Sequence, residues 1–265
     1  MTLIYRSEGS GPDLVMLHGW GLNSTAFDSV LPLLTPFLRV HLVDLPGYGD
    51  NRDQDPAALT LEGTLDALDG IVPPGAHVLG WSLGGLVAMA FAVRRAGDLG
   101  SYITVCSSPR FCEELDDMDE HHQIWPGVER RILKAFTRLL RPRNKDEVCD
   151  HFLAMQALGS PSIRHDIRSL RQALAARPKP SYEALKAGLE LLDHIDLRHD
   201  CSELSLPSLH IFGDADRIVS PDVSTFWDRV PSARVEIFSR TAHNPFISSP
   251  VRFADSLKSF ILPAF

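Results

Sequence analysis

Cysteine is scarce. Four thiols, Cys106, Cys112, Cys149 and Cys201, stand among 265 residues, and no two have the CxxC spacing of a zinc-ligand pair or a redox motif. That argues against a structural zinc site and for ordinary reduced thiols. Long apolar runs are missing as well: no stretch approaches the roughly 18 apolar residues that a membrane helix needs, so a soluble protein is expected. The N-terminus, MTLIYRSEGSGPD, has neither a basic start with an apolar stretch behind it nor a small-residue cleavage site, and the cytoplasm is the expected location. Positive charge is also short. Lys and Arg number 26 against 34 Asp and Glu, and the net charge of −8 speaks against nucleic acid as a partner.

What is present is a hydrophobic fraction of 44%, enough for a large core. A single α/β domain with an insertion is expected rather than two small domains. The rest of the chain is organised around GWSLG, Gly80 to Gly84, which follows the apolar run His77-Val78-Leu79. Ser82 between two glycines reads as a nucleophile elbow. The turn from strand to helix is so tight that side chains flanking the serine would collide with their neighbours, and glycine removes the collision. Leu83 to Ala92 is apolar and rich in helix formers, which supplies the helix such a turn must feed.

Leu14 to Leu17 reads as a buried strand that ends in the loop His18-Gly19-Trp20-Gly21. In serine hydrolases of this build, one oxyanion donor is a backbone N–H of such a loop and the other is that of the residue after the nucleophile. Those residues are Trp20 and Leu83. His18, at a strand end before the loop, reads as a structural histidine. Val40 to Val43 is the next strand; the turn after it, Asp44 to Gly49, receives no chemical role. A helix through Leu61, Leu65, Leu68 and Val72 returns to the elbow strand, and Tyr102 to Val105 is the strand after the elbow helix. Alternating strands and helices imply a mostly parallel sheet flanked by helices.

Between Arg110 and Leu206 the alternation stops and helical periodicity takes over, over a length too great for an unstructured loop. This is expected to be an inserted helical cap, residues 110–206, on a core of residues 1–109 and 207–265. One helix carries Ile132, Leu133, Phe136, Leu139 and Leu140; a second Val148, Phe152 and Met155; a third, opened by Ser160 and Pro161, Ile163, Ile167, Leu170 and Leu174. Most of these are expected to be cap core. The acidic run Glu113 to His122 reads as a solvated loop, and no metal is expected. The sheet resumes at Leu209 to Phe212 and ends in Gly213 to Val219, placing two acids at a strand's C-terminal edge, where open α/β sheets carry their sites. Asp216 is preferred to Asp214 as the orienting acid. The last strand, Val235 to Phe238, leads to His243, the expected base, and a helix from Pro250 to Leu262 closes the chain.

Through HGWG, GWSLGG, GDADRIVSP and AHNPF the chain resembles the α/β-hydrolase superfamily over its whole length, and the order Ser82, Asp216, His243 is that superfamily's order. With HGWGLN, SSPRF, WPG, HFLAMQALG, GLELLDHIDLR and AHNPFISSP it looks like the pimeloyl-[acyl-carrier protein] methyl ester esterases of biotin synthesis. The resemblance implies the triad Ser82, Asp216 and His243, and oxyanion donors Trp20 and Leu83. It also implies an acyl-chain site that includes Phe152, Leu153, Ala154, Met155 and Gln156, and an acyl-carrier protein as the vehicle of the substrate. No cofactor is implied, and a monomer is expected. Two other classes stay open: a serine hydrolase of a different substrate, such as a general carboxylesterase or a carbon–carbon bond hydrolase, and a non-catalytic binding protein on this fold.

Charge in the insertion is distributed unlike the rest. From Gly127 to Pro180 twelve basic residues face five acids, an excess of seven in a chain of net −8. Arg164, Arg168 and Arg171 have i, i+4, i+7 spacing and share one helical face. They are the candidate docking residues for an acidic carrier; the alternative is a solvated face.

Overall fold

A seven-stranded sheet in the order β1-β3-β2-β4-β5-β6-β7 forms the body of the computed structural model, which describes residues 2–114 and 124–262. The strands are β1 (Tyr5–Gly9), β2 (Asp13–Leu17), β3 (Arg39–Val43), β4 (His77–Trp81), β5 (Ser101–Val105), β6 (Ser208–Gly213) and β7 (Ala233–Phe238). Only β1 is antiparallel, pairing with β3 at the edge. The others pair in parallel. Six of the seven strands match the apolar runs read from sequence. The outer strand β1 escaped notice because four of its five residues are exposed and polar or small enough to read as loop.

Helices α1 (Leu31–Leu34), α2 (Leu61–Asp69) and α3 (Leu83–Arg94) connect the first strands. Between β5 and β6 the chain makes α4 (Arg130–Leu139), α5 (Lys145–Gln156), α6 (Ile163–Ala175), α7 (Tyr182–His194) and α8 (Arg198–Ser202). After β7 come α9 (Pro245–Ser248) and α10 (Pro250–Ile261). Ten of the twelve residues of α3 are buried, because it lies between the sheet and the inserted helices. Its apolar faces therefore surround it, and no amphipathic stripe is needed.

The insertion leaves and returns at one point. Arg110 bridges Asp196, Leu197 N donates to Pro109 O at 2.9 Å, and the buried Arg110 guanidinium donates to the Asp193 carbonyl at 2.9 Å. Its attachment to the sheet-bearing part is made largely through backbone acceptors. Trp20 Nε1 donates to Leu185 O, Tyr48 Oη to Ala184 O, and Thr25 Oγ1 and Asn23 Nδ2 both to Ala173 O. These bonds fasten α6 and α7. Helix α4 is different: none of its residues is buried, and Ile132 and Leu139 are 42% and 62% exposed. The expectation that the apolar residues of this helix are core holds for Leu140, which follows it, and not for these two. Helix α6 begins at Ile163, with Ser160 and Pro161 in the preceding turn rather than at its first positions; there Ser160 Oγ accepts from Ser162 N. Helix α7, within the GLELLDHIDLR segment and its upstream neighbours, was not resolved as an element from sequence. The acidic run Glu113 to His122 lies outside the described residues from position 115 on; Glu114 pairs with Arg110. No helix among the described residues is long and apolar enough to cross a membrane.

Glycine is required where α3 meets β4. A Cβ on Gly80 would lie 2.0 Å from Gly84 O, and one on Gly84 would lie 2.3 Å from Leu17 O. Gly80→Ala is expected to cost about 1–3 kcal/mol or more, as overpacking does, and to lower Tm by several degrees in a thermal melt. Gly97, beside which a Cβ meets nothing within 4 Å, is the control: Gly97→Ala should leave Tm unchanged or slightly raised.

Two buried histidines are built into the core, His210 within β6 and His18 just after β2. His210 stacks on Trp227 at 3.4 Å and pairs with Thr104 and Ser208 through its two ring nitrogens. His18 Nε2 accepts from Leu45 N at 3.0 Å while Nδ1 donates to Gly19 O at 2.9 Å, the structural role expected of it. Burial depresses the pKa of both, that of His210 strongly. Below the unfolded-state value of about 6.5 the unfolded chain takes up protons that the fold refuses, so the stability present above that pH is lost as pH falls. The urea midpoint should be lower at pH 5.5 than at pH 7.5. His210→Gln, which cannot titrate, should shrink that difference whatever it does to stability at pH 7.5.

Candidate active site

Ser82 stands where β4 turns into α3, with φ 55° and ψ −118°, in a region that residues with a side chain rarely adopt. Holding it there are bonds on both sides: its N donates to Val105 O at 3.0 Å, and its carbonyl accepts from Gly85 N, Leu86 N and the Ser107 hydroxyl. Such strain costs about 1–3 kcal/mol and survives because the surroundings over-determine it. The loop after β2 packs directly on this turn, since a Cβ on Gly19 would lie 3.3 Å from Ser82 Cβ. Trp20 therefore borders the serine, its indole fixed by Leu185 O and edge-on to Phe152 with ring centres 4.9 Å apart. Leu83 is the first residue of α3, whose opening amides have no partner within the helix.

Asp44, to which sequence assigned no role, organises the neighbouring loops. Its buried carboxylate accepts from Ser24 N at 2.7 Å and Asp50 N at 2.8 Å. Gly49, at φ +48°, is needed because a Cβ there would meet that carboxylate at 2.1 Å.

His243 follows β7 and is fully buried. Its backbone is gripped from two sides: its carbonyl accepts from Trp81 Nε1 at 2.7 Å, and its N donates to Gln156 O at 3.2 Å. Since Trp81 precedes Ser82, the first bond also holds the histidine beside the elbow. The ring Nδ1 lies 2.8 Å from Asp216 Oδ2. A carboxylate only accepts, so Nδ1 carries the proton and Nε2 is left as a free base. That Nε2 is buried and has no hydrogen-bond partner among the described residues. The other oxygen, Asp216 Oδ1, accepts from Ile218 N at 2.8 Å and Val219 N at 3.1 Å, which clamps the turn after β6. Asp214 points elsewhere and accepts from Thr241 N.

Ser82 opens into a cavity of about 110 Å3. Phe111, Leu133, Phe136, Leu189 and Ile218 form much of its wall, with Phe152 and Met155 from the segment singled out in sequence. Ser82 itself is 1% exposed, so it sits at the floor of this enclosed space and not on the molecular surface. The other residues of that segment face elsewhere: Leu153 packs in the core cluster with Trp81 and Phe246, Ala154 is half-buried, and Gln156 lies beside His243 with its carboxamide buried and unpaired among the described residues. Asn244 flanks the histidine on the other side in the same condition. It lies in the AHNPF run, to which sequence assigned only the histidine.

Cys106, at φ 45°, adds a thiol near Asp216 and His243, the three potential ligand atoms lying within 4.8 Å of one another. The carboxylate and imidazole are already spent on each other, and burial pushes the thiol well above its usual range, so it resists the deprotonation that metal binding demands.

Arg164, Arg168 and Arg171 are not in the wall of the serine cavity. They line a separate open groove along α6 with Ile167 and Gln172. Arg171 makes a two-point pair with Asp150 of α5, both bonds 2.8 Å; Arg164 and Arg168 are exposed and without an ion pair among the described residues.

The sequence matches the family described as the alpha/beta hydrolase family over residues 14–256. It is 41% identical over 262 residues to the pimeloyl-[acyl-carrier protein] methyl ester esterase of Aeromonas hydrophila, covering 98% of this chain and 100% of that protein. To the esterase of the same name from Photobacterium profundum it is 42% identical over 261 residues, 98% of each chain. An esterase from Exiguobacterium antarcticum superposes with a TM-score of 0.85 at 17% identity, covering 98% of this chain and 96% of that one. A bromoperoxidase from Bacillus anthracis gives 0.81 at 18%, covering 98% and 95%. These last two speak for the fold alone. With its elbow, its acid and histidine in that order, and near-complete coverage that includes the inserted helices, the chain belongs to the alpha/beta hydrolase family and, within it, to the pimeloyl-[acyl-carrier protein] methyl ester esterases.

Proposed function

We propose that this protein hydrolyses the methyl ester of pimeloyl-[acyl-carrier protein], releasing methanol and the free acid on its carrier, in biotin biosynthesis. The observation that carries this reading is identity of 41–42% to esterases of that name across the whole chain, the inserted helices included. The protein is a carboxylic ester hydrolase. Residues 110–206 act as the cap and residues 1–109 and 207–265 as the catalytic core, working as a monomer in the cytoplasm.

In the proposed reaction the Ser82 hydroxyl attacks the ester carbonyl while His243 Nε2 takes its proton. Asp216 fixes the tautomer of the imidazole and stabilises the imidazolium. The Trp20 and Leu83 amides receive the oxyanion, each donor worth about 3 kcal/mol of barrier. The imidazolium returns its proton to the departing methoxide, and methanol leaves. Water, deprotonated by the same Nε2, then attacks the acyl-serine, and collapse of that second oxyanion releases the acid and restores the hydroxyl. No cofactor enters this sequence. Phe152 and Met155 contact the acyl chain. Arg164 and Arg168, whose side chains carry no ion pair among the described residues, are the foremost candidates for holding an acidic carrier, with Arg171 partly neutralised by Asp150. The direct test is rescue of a biotin auxotroph lacking its own esterase: the wild-type gene should restore growth without biotin and the Ser82→Ala gene should not. Absence of rescue by an active, expressed enzyme would favour a general carboxylesterase.

Ser82→Ala should reduce hydrolysis of a short p-nitrophenyl ester by about 10³-fold or more with Tm nearly unchanged. Asp216→Asn should cost about 10³–10⁴-fold in kcat, because the amide presents the wrong tautomer to His243, whereas Asp214→Asn should leave the rate close to wild type. Equal losses at the two acids would reassign the orienting residue.

Reversal of Arg164 and Arg168 together to Glu should raise KM for a carrier-bound ester and leave a small free ester unaffected. Added salt should act likewise, since steering between exposed charges is screened over about 8 Å at physiological ionic strength. If both esters respond alike, docking lies elsewhere.

A further inference from the structure

Among the described residues, one charged side chain lies in the wall of the serine cavity. Every described residue lining it is apolar except Ser82 and Arg217. Arg217 is exposed, so it belongs to the rim of that space, and it forms no ion pair or hydrogen bond with any described residue. Several other exposed cations are matched, Arg171 by Asp150, Lys179 by Asp146 and Arg130 by Asp193; Arg217, at the edge of an apolar cavity, is not. Its position is also rigid. Arg217 sits inside the turn that Asp216 Oδ1 closes through the Ile218 and Val219 amides, and the other oxygen of that carboxylate holds His243. The backbone of Arg217 is therefore about 3.8 Å along the chain from the acid of the site, and its placement relative to Ser82 is set by the same bonds that set the site.

We infer that Arg217 is a specificity-determining residue that binds the oxygen acceptor at the far end of a dicarboxylic acyl chain whose near end is the ester attacked at Ser82. An alkyl chain fits the apolar wall and has no use for a guanidinium. A second carboxyl or carbonyl carried at the other end does, because a guanidinium binds a carboxylate through two parallel bonds and a neutral carbonyl through one. The acceptor is a free carboxylate in a monoester and a thioester carbonyl in a carrier-linked chain; both present an oxygen to the same donor. The inference rests on ester hydrolysis at Ser82 and adds which acyl chains that site selects.

Three methyl esters of matched length separate the sources: monomethyl pimelate, with a far carboxylate; dimethyl pimelate, with a far neutral carbonyl; and methyl heptanoate, with neither. For the wild-type enzyme kcat/KM should fall in that order, the first exceeding the last by about tenfold or more, as expected when a hydrogen bond to a charged group is lost. Arg217→Leu should abolish the preference while retaining activity on methyl heptanoate, and Arg217→Lys should keep part of the preference for the carboxylate. Arg217→Glu should place monomethyl pimelate last. A wild-type enzyme that does not distinguish the three esters, or an Arg217→Leu variant that changes all three by one factor, overturns the inference and leaves the serine esterase reading intact. Failure of the wild-type enzyme on all three as well as on the carrier-bound ester would overturn that reading itself, and this inference with it.

Discussion

The strained backbone at Ser82 is the constraint on which the rest of the structure depends. A positive φ on a residue with a side chain is tolerated only if both neighbouring elements approach closely enough to hold it, and here the approach is as close as backbone atoms allow. Gly80 faces the carbonyl of Gly84, Gly84 faces those of Leu17 and His18, and Gly85 faces the Ser107 side chain. These contacts fix more than the serine. The Leu17 and His18 carbonyls belong to the end of β2, so the same packing sets where the loop bearing Trp20 begins, and Ser107, which ties the Ser82 carbonyl, begins the path toward the insertion. One tight turn thus sets the positions of the hydroxyl, of the Trp20 loop and of the chain that leads to the cavity wall.

The acid and histidine come from the opposite half of the sheet, and their assembly relies on a different device. Each is held by backbone as well as side-chain bonds: Asp216 by two amides of its own turn, His243 by Trp81 from beneath and Gln156 from the inserted helices. Because His243 N bonds to α5, closure of the insertion over the sheet and placement of the imidazole are coupled. The inserted helices are unequal in this respect. Helices α6 and α7 are fastened through buried carbonyls that accept from Trp20, Tyr48, Asn23 and Thr25, whereas α4 offers its apolar residues to the cavity and buries none of them fully. Local stability is lowest where few apolar contacts are buried, so α4 is the part of the wall best able to yield to a long acyl chain.

Charge is unevenly placed along the insertion: from Gly127 to Pro180 twelve basic residues stand against five acids, in a chain of net −8. Within the insertion, however, much of the excess is already matched by Asp146, Asp150 and Asp193 or by Asp50 across the interface. Among the cations without an ion pair to any described residue, Arg164 and Arg168 line the groove along α6 and Arg217 the rim of the serine cavity.

The periodicity of buried strands and the glycine spacing around Ser82 are local properties, and they were readable from the chain. A strand buried on both faces must be apolar throughout, as β2 to β6 largely are, and a collision-free elbow must have glycine at 80 and 84. Edge strand β1 was invisible for the converse reason: pairing on one side only imposes no apolar pattern on Tyr5–Gly9. The choice between Asp214 and Asp216 lay within a single acidic turn, and only the direction of two side chains decided which one meets His243. Likewise, periodicity located Phe152 and Met155 on a helix and the family resemblance marked Leu153 and Gln156 beside them, but neither could tell cavity from core; the orientation of α5 over the elbow assigned the first two to the wall and the other two to other neighbours. Asp44 and Arg217 received no role from sequence. Their partners are distant backbone amides in one case and an apolar cavity in the other, and such relations exist only once the chain is folded.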